Sequence, residues 1–155
     1  METIEQIKED EGYRAEVYLC TAGKRTWLYG RNIEDRPITD AEWRLLTDFL
    51  TQGRSFKDWA GTLLEIDVTG CVHNLYKMGH APGEYPSGVS SVLINMIYNM
   101  GPTKFNPSKW PKFFAAIEDR DWKLAAAEGR NSLWFYQVGN RSIRLMKSLA
   151  AVKAD

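Results

Sequence analysis

Apolar positions in this chain fall at two different periods, and the change of period marks its elements. Ile4, Ile7 and Glu11 follow one another at spacings of three and four. A first helix starting near Thr3 therefore carries a carboxylate on its apolar face. Thr3 and Gln6 form a capping-box pattern for that start. Residues 16–30 read instead as a hairpin: Val17, Tyr18, Trp27 and Tyr29 suit strands, and Ala22-Gly23 suits the turn. A turn centred on Gly23 predicts that Cys20 and Thr26 oppose each other on one face.

Helical spacing returns at Thr39. Thr39 and Glu42 form a capping box, Ile38 and Trp43 a hydrophobic staple, and Gly53 a stop. Leu64, Val68, Cys71, Leu75 and Met78 step by four, three, four and three. They predict a longer helix over about 60–78. Residues 79–88 are a loop by their glycines and prolines. Residues 89–100 are apolar nearly all round, so a buried central helix is expected there, closed by Gly101. Short helices follow at about 110–118, 121–128, 132–137 and 140–152, punctuated by Pro107, Pro111, Gly129 and Gly139. The predicted fold class is α+β and mostly helical, with one small β hairpin near the N-terminus.

Composition narrows the function. The 20 Lys/Arg balance the 20 Asp/Glu, which argues against a dedicated nucleic-acid binder. The balance is uneven: residues 101–155 hold ten Lys/Arg and five Asp/Glu. Such a surface suits approach to an anionic polymer, and it equally suits ordinary solvated helix faces. Cys20, Cys71, His73 and His80 lack metal-ligand spacing, so neither a metal site nor a cofactor is expected. Two distant cysteines do not make a disulfide framework, which fits synthesis in a reducing compartment. The N-terminus METIEQIKEDEG has no apolar run of signal-peptide length, and no membrane insertion is expected. Six Trp, seven Tyr and six Phe supply core packing, and they also permit sugar stacking.

The residue with the clearest chemical promise is Glu11. It sits on the apolar face of a short helix and at its C-terminal end, just before Gly12. The macrodipole disfavours negative charge there, and an apolar setting favours the protonated form. The alternative is a last-turn glutamate that swings out to solvent.

Glu11, eight intervening residues, Cys20, five intervening residues and Thr26 resemble the catalytic triad spacing of phage-type lysozymes, glycoside hydrolase family 24. The family usually has Asp at the second position; a minority carry Cys. LEIDVTGCVHNL (64–75) resembles the start of the family's long interlobe helix. LINMIYNMG (93–101) resembles its buried central helix, and DWKLAAAEGRNSLWFYQVGNR (121–141) its C-terminal region. The resemblance implies one domain over 1–155 built as two lobes. These are a hairpin lobe at about 12–59 and a helical lobe at about 79–155 with the N-terminal helix, joined by a helix at about 60–78.

It also implies an endolysin, a muramidase that hydrolyses the β-1,4 bond between N-acetylmuramic acid and N-acetylglucosamine in peptidoglycan and so lyses a bacterial host. Glu11 would be the general acid, with Cys20 and Thr26 assisting an attacking water and Arg141 orienting Glu11. Tyr18, Tyr98, Asn99 and Trp134 would contact glycan; core packing is the alternative for each. Inversion at the anomeric carbon is the expected outcome. The chain would be a monomer, stored in the host cytoplasm and released to the wall through a separate hole-forming protein. A tail-associated lysozyme module is the variant reading.

Three departures from the family stand out. Arg31 occupies a position usually held by His, whose acidic partner aligns with Asp67, so an Arg31–Asp67 ion pair is expected. Leu28 replaces a common glycine, and Ala22 stands where an acidic cleft residue often occurs. Together with Cys20 they motivate a second reading, a lysozyme-like module that binds peptidoglycan or a protein without cutting.

Overall fold

The computed structural model describes residues 2–153, with side chains from Thr3 onward. Its fold is α+β and mostly helical, as the periodicities predict. The chain forms two compact units, residues 1–68 and 69–155.

The first unit opens with α1 (Glu2–Glu11). Thr3 lies inside the first turn of this helix, which begins at Glu2 rather than after a cap at Thr3. Gln6 donates along the helix to Asp10 Oδ1 at 3.3 Å. Ile7 is fully buried and Glu11 is half-buried, in keeping with their shared face. Gly12, at φ +70°, ends the helix.

Strands β1 (Arg14–Leu19), β2 (Arg25–Leu28) and β3 (Arg31–Asn32) form an antiparallel sheet in the order β1-β2-β3. The register sets Tyr18 opposite Thr26 and Leu19 opposite Arg25. This corrects the expected Cys20–Thr26 pairing. Cys20 begins the turn, and its N–H donates to the Lys24 carbonyl at 2.9 Å. Three residues, Thr21, Ala22 and Gly23, make the loop, with Gly23 at φ +77°. The hairpin therefore centres on Ala22. Strand β3 is too short to carry an alternating pattern, and no sequence signal predicted it.

Helix α2 (Asp40–Thr51) carries the predicted capping box in both directions between Thr39 and Glu42. Its stop is the predicted one. Gly53 N–H reaches the Leu50 carbonyl and Arg54 N–H the Phe49 carbonyl. That pairing is a Schellman motif. Helix α3 (Phe56–Lys77) starts four residues before its predicted position. Ser55 and Asp58 cap it reciprocally, with Asp58 N–H on Ser55 Oγ at 3.1 Å and Ser55 N–H on Asp58 Oδ2 at 3.2 Å.

The second unit contains α4 (Ser87–Met100), α5 (Pro111–Glu118), α6 (Trp122–Arg130), α7 (Leu133–Val138) and α8 (Asn140–Ala150). Residues Val92 to Ile97 of α4 are all buried, which is why that stretch reads as apolar all round. Helix α8 packs on α4, α6 and α7. Gly129 on α6 lets α8 approach, because a Cβ there would strike the Met146 sulfur.

Candidate functional site

In the first unit, α1 delivers Glu11 to the turn between β2 and β3. That turn is unusually tight. Leu28 at φ +60° and Gly30 at φ +80° both adopt the left-handed region. Gly30 is glycine for a second reason: a Cβ built on it would overlap the Glu11 carboxylate, lying 2.9 Å from Glu11 Cδ. The carboxylate thus packs directly against backbone, in a place no larger residue leaves open.

Tyr18 extends this surface along β1. Its hydroxyl pKa is pushed above the ordinary value, chiefly by burial, then by the negative charges of Glu11 and Cys20. Arg14 pulls the other way, with its guanidinium 4.6 Å from the Tyr18 ring centre. Glu11 and Cys20 are therefore both within electrostatic reach of one phenol.

The Cys20 thiol is made more acidic than an ordinary thiol. The backbone N–H groups of Lys24 and Ala22 lower its pKa, slight burial opposes them, and the Thr26 hydroxyl lowers it further. Thr26 is buried, and its Oγ1 also lies 3.1 Å from the Lys24 carbonyl. Cys20 and Thr26 are thus diagonal neighbours on one face, although the register does not oppose them. Within the first unit, Glu11 and Cys20 thus lie within electrostatic reach of Tyr18, and Thr26 adjoins Cys20. Chemically this arrangement offers a carboxyl group, a thiol made more acidic by the hydrogen-bond donors around it, and a hydroxyl able to hold a water.

Beside Gly30, Arg31 anchors the sheet to α2 and α3. Its guanidinium donates to Asp67 through Nε at 3.1 Å and Nη2 at 2.9 Å. It also donates to Glu42 through Nη1 at 2.8 Å and Nη2 at 2.6 Å. Arg36 reaches Asp67 Oδ1 at 2.7 Å. Two guanidiniums and two carboxylates balance in a site where Arg31, Glu42 and Asp67 are all buried. Burial alone would favour neutral Arg31, yet its two carboxylate partners raise its pKa. The same hydrogen bonds hold Glu42 at about 2. Burial pushes Asp67 upward, against the pull of both arginines. The expected Arg31–Asp67 pair is present; Glu42 and Arg36 are additions that sequence reading missed. Glu42 was legible only as a capping residue, a role it also fills, accepting from Thr39 N–H at 3.0 Å.

The remaining candidates lie in the second unit. Arg141, on the first turn of α8, donates through Nε to Asn95 Oδ1 on α4 at 2.8 Å. Trp134 is buried and donates its indole N–H to Asn99 Oδ1 at 2.8 Å, which fixes the Asn99 side chain. Tyr98 is half-buried beside it in sequence. Thus Asn99 and Trp134 are brought together, and Arg141 is held by a residue, Asn95, that sequence reading did not single out. Among the described residues no His, Cys, Asp and Glu side chains cluster so as to hold a metal ion. None of the described helices is long and apolar enough to cross a membrane.

No family model matches the chain. Comparison with known proteins finds relatives at low identity. The chain is 26% identical to the protein named "Probable T4-type lysozyme 2" of Dictyostelium discoideum, over 92% of this chain and 89% of that protein. It is 27% identical to the pre-baseplate central spike protein Gp5 of Enterobacteria phage T4, over 94% of this chain. The chain spans only 27% of the length of that spike protein.

Proposed function

We propose that this chain is a lysozyme-like glycoside hydrolase, a muramidase of the phage type that cuts the β-1,4 bond between N-acetylmuramic acid and N-acetylglucosamine in peptidoglycan. The observation that carries this reading is the arrangement of Glu11, Tyr18, Cys20 and Thr26, with the Glu11 carboxylate seated against Gly30. The likeness to a lysozyme-named protein along nearly its whole length supports the same reading.

Glycoside hydrolysis needs an acid for the leaving oxygen and a second group for the attack at the sugar carbon. Glu11 is the acid in this reading. Cys20 serves as the base toward a water, because the Lys24 and Ala22 amides favour its thiolate. Thr26 holds that water from the buried side of the hairpin. A water-mediated attack inverts the anomeric carbon. The activity would lyse a bacterial host, with storage in the host cytoplasm and release to the wall through a separate hole-forming protein. The spike relative motivates a variant, in which this sequence is the wall-cutting module of a phage particle protein.

The deciding assay is turbidity loss of outer-membrane-permeabilised bacteria, with wild type and Glu11→Gln side by side. Clearing by wild type alone supports the muramidase. A second reading, a wall-binding module without activity, is motivated by Cys20, whose thiol is a poorer permanent anion than a carboxylate. Under that reading neither protein clears the cells, and both pellet with peptidoglycan.

A further inference from the structure

The buried ion cluster around Arg31 takes no direct part in the proposed reaction, and it is a poor device for holding a fold together. Arg31, Glu42 and Asp67 are 4%, 6% and 7% exposed. Burying such charges costs about as much as their pairing returns, and apolar side chains of similar volume often serve stability equally well. What a guanidinium with four charge-assisted hydrogen bonds adds is fixed geometry, because its planar fork accepts partners in few directions.

Two groups of the proposed site depend on the segment that this fork grips. Gly30, the residue before Arg31, is the seat of the Glu11 carboxylate. Asn32, the residue after it, is the strand partner of Thr26. Strand β3 consists of Arg31 and Asn32 alone, too short for its own ladder to place it firmly. The turn that leads into it carries positive φ at both Leu28 and Gly30, a conformation that persists only where the surroundings over-determine it.

The surroundings do so here from two sides. Arg31 ties β3 to the first turn of α2 through Glu42 and to α3 through Asp67. Glu42 is itself fixed, because it also accepts from the Thr39 N–H in the capping box. Arg36 grips from beyond the strand: its N–H donates to the Asn32 carbonyl at 2.9 Å, and its guanidinium reaches Asp67 at 2.7 Å. The backbone from 30 to 32 is thus held at both ends.

We infer that Arg31 and Glu42 are positioning residues: their fork sets the backbone from Gly30 to Asn32, and through it the places of the Glu11 carboxylate and the Thr26 hydroxyl. This rests on the proposed glycosidase reading, since placement to within about 1 Å matters most where a bond is made and broken.

The double variant Arg31→Met/Glu42→Leu separates positioning from stability. It removes one positive and one negative charge and leaves Arg36 paired with Asp67. Its unfolding midpoint should stay near that of wild type. On soluble, uncrosslinked glycan strands of peptidoglycan its kcat should fall roughly ten- to a hundredfold with KM little changed. Arg31→Lys keeps the charge without the fork and should lose less. Leu149→Ala, in the core of the second unit, is the reverse control: it lowers the unfolding midpoint and keeps kcat. A second readout needs no activity. In protein carrying 13C-labelled glutamate, the Glu11 carboxyl signal is the one missing from Glu11→Gln. It should move in both Arg31 variants and stay in Leu149→Ala. A Glu11 signal that stays in place overturns the inference, as does a kcat that falls only in step with the unfolding midpoint. If the double variant does not fold, Arg31→Lys decides by the same two readouts. A wild type that cuts no glycan, while its Glu11 signal moves in the variants, would overturn the proposed reaction and leave the placement of Glu11 by Arg31 standing.

Discussion

The Glu11 carboxylate occupies the space that a side chain at Gly30 would need. The acid's position is therefore set by the absence of an atom two elements away in the chain. Gly30→Ala should displace the carboxylate, and a shift of about 1 Å in a reacting group can cost on the order of a hundredfold in rate. Gly12→Ala is the matched control. It has a similar positive φ of +70° but nothing within 4 Å of its Cβ. Both variants should lose about 1 kcal/mol from backbone strain. Only Gly30→Ala should lose clearing activity far beyond that. Equal activity losses in the two would sink the idea.

Cys20 should write itself into the pH dependence. Its thiol is made more acidic than usual by the Lys24 and Ala22 amides and by Thr26. If the thiolate is the base, activity rises with pH through a midpoint below the ordinary thiol value. Cys20→Asp, ionised throughout that range, should abolish the rise and exceed wild type about tenfold at mildly acidic pH. Cys20→Ala should be nearly inactive. The measurement is initial clearing rate against pH for the three proteins. A Cys20→Asp profile that rises as wild type does would show that Cys20 is not the titrating base.

Much of this architecture was written locally in the sequence. The helices were legible because their apolar stripes and their caps agreed, as at Thr39–Glu42 and Gly53. The errors came where local pattern underdetermines geometry. A three-residue loop with Gly23 in its last position moved the hairpin centre by one residue, so Tyr18 rather than Cys20 faces Thr26. The start of α3 was signalled by Ser55 and Asp58, but its apolar stripe begins later and drew the boundary inward. The candidate site was half visible. Spacing put Glu11 on a buried face, yet its seat against Gly30 depends on a turn that no periodicity describes. Arg31–Asp67 was expected only through family resemblance, and Glu42 joined them because a helix N-terminus folds beside β3.

Leu28 provides a test of competing terms. It holds φ +60°, a conformation that costs a leucine about 1–2 kcal/mol. It is also only 1% exposed, and emptying such a site costs about 2–5 kcal/mol. Burial exceeds strain, so Leu28→Gly should destabilise by roughly 2 kcal/mol. Leu28→Ala loses the packing and keeps the strain. It should therefore be less stable than Leu28→Gly by about 1 kcal/mol, the reverse of the usual order of alanine and glycine. Thermal or denaturant unfolding of the three proteins decides it. Alanine proving the more stable variant would mean that the backbone at 28 is not strained.

The Arg31 network predicts a specific acid response. Glu42 has its pKa lowered from 4.5 to about 2 by the Arg31 hydrogen bonds. A depressed carboxylate contributes stability that is present in full above its ordinary value and disappears as pH falls through the folded value. Wild type should thus lose this contribution between roughly pH 4.5 and 2. Glu42→Gln cannot titrate there. At neutral pH it should be less stable by about 3 kcal/mol, because Arg31 keeps only Asp67 as its buried partner. The gap between the two proteins should then narrow steadily on acidification. Asp67 shifts in the opposite direction, raised by burial, but it titrates in both proteins and largely cancels in their difference. Denaturant unfolding at neutral pH and at about pH 3 measures the gap. A gap that stays constant or widens in acid would show that the Glu42–Arg31 bonds do not lower the Glu42 pKa.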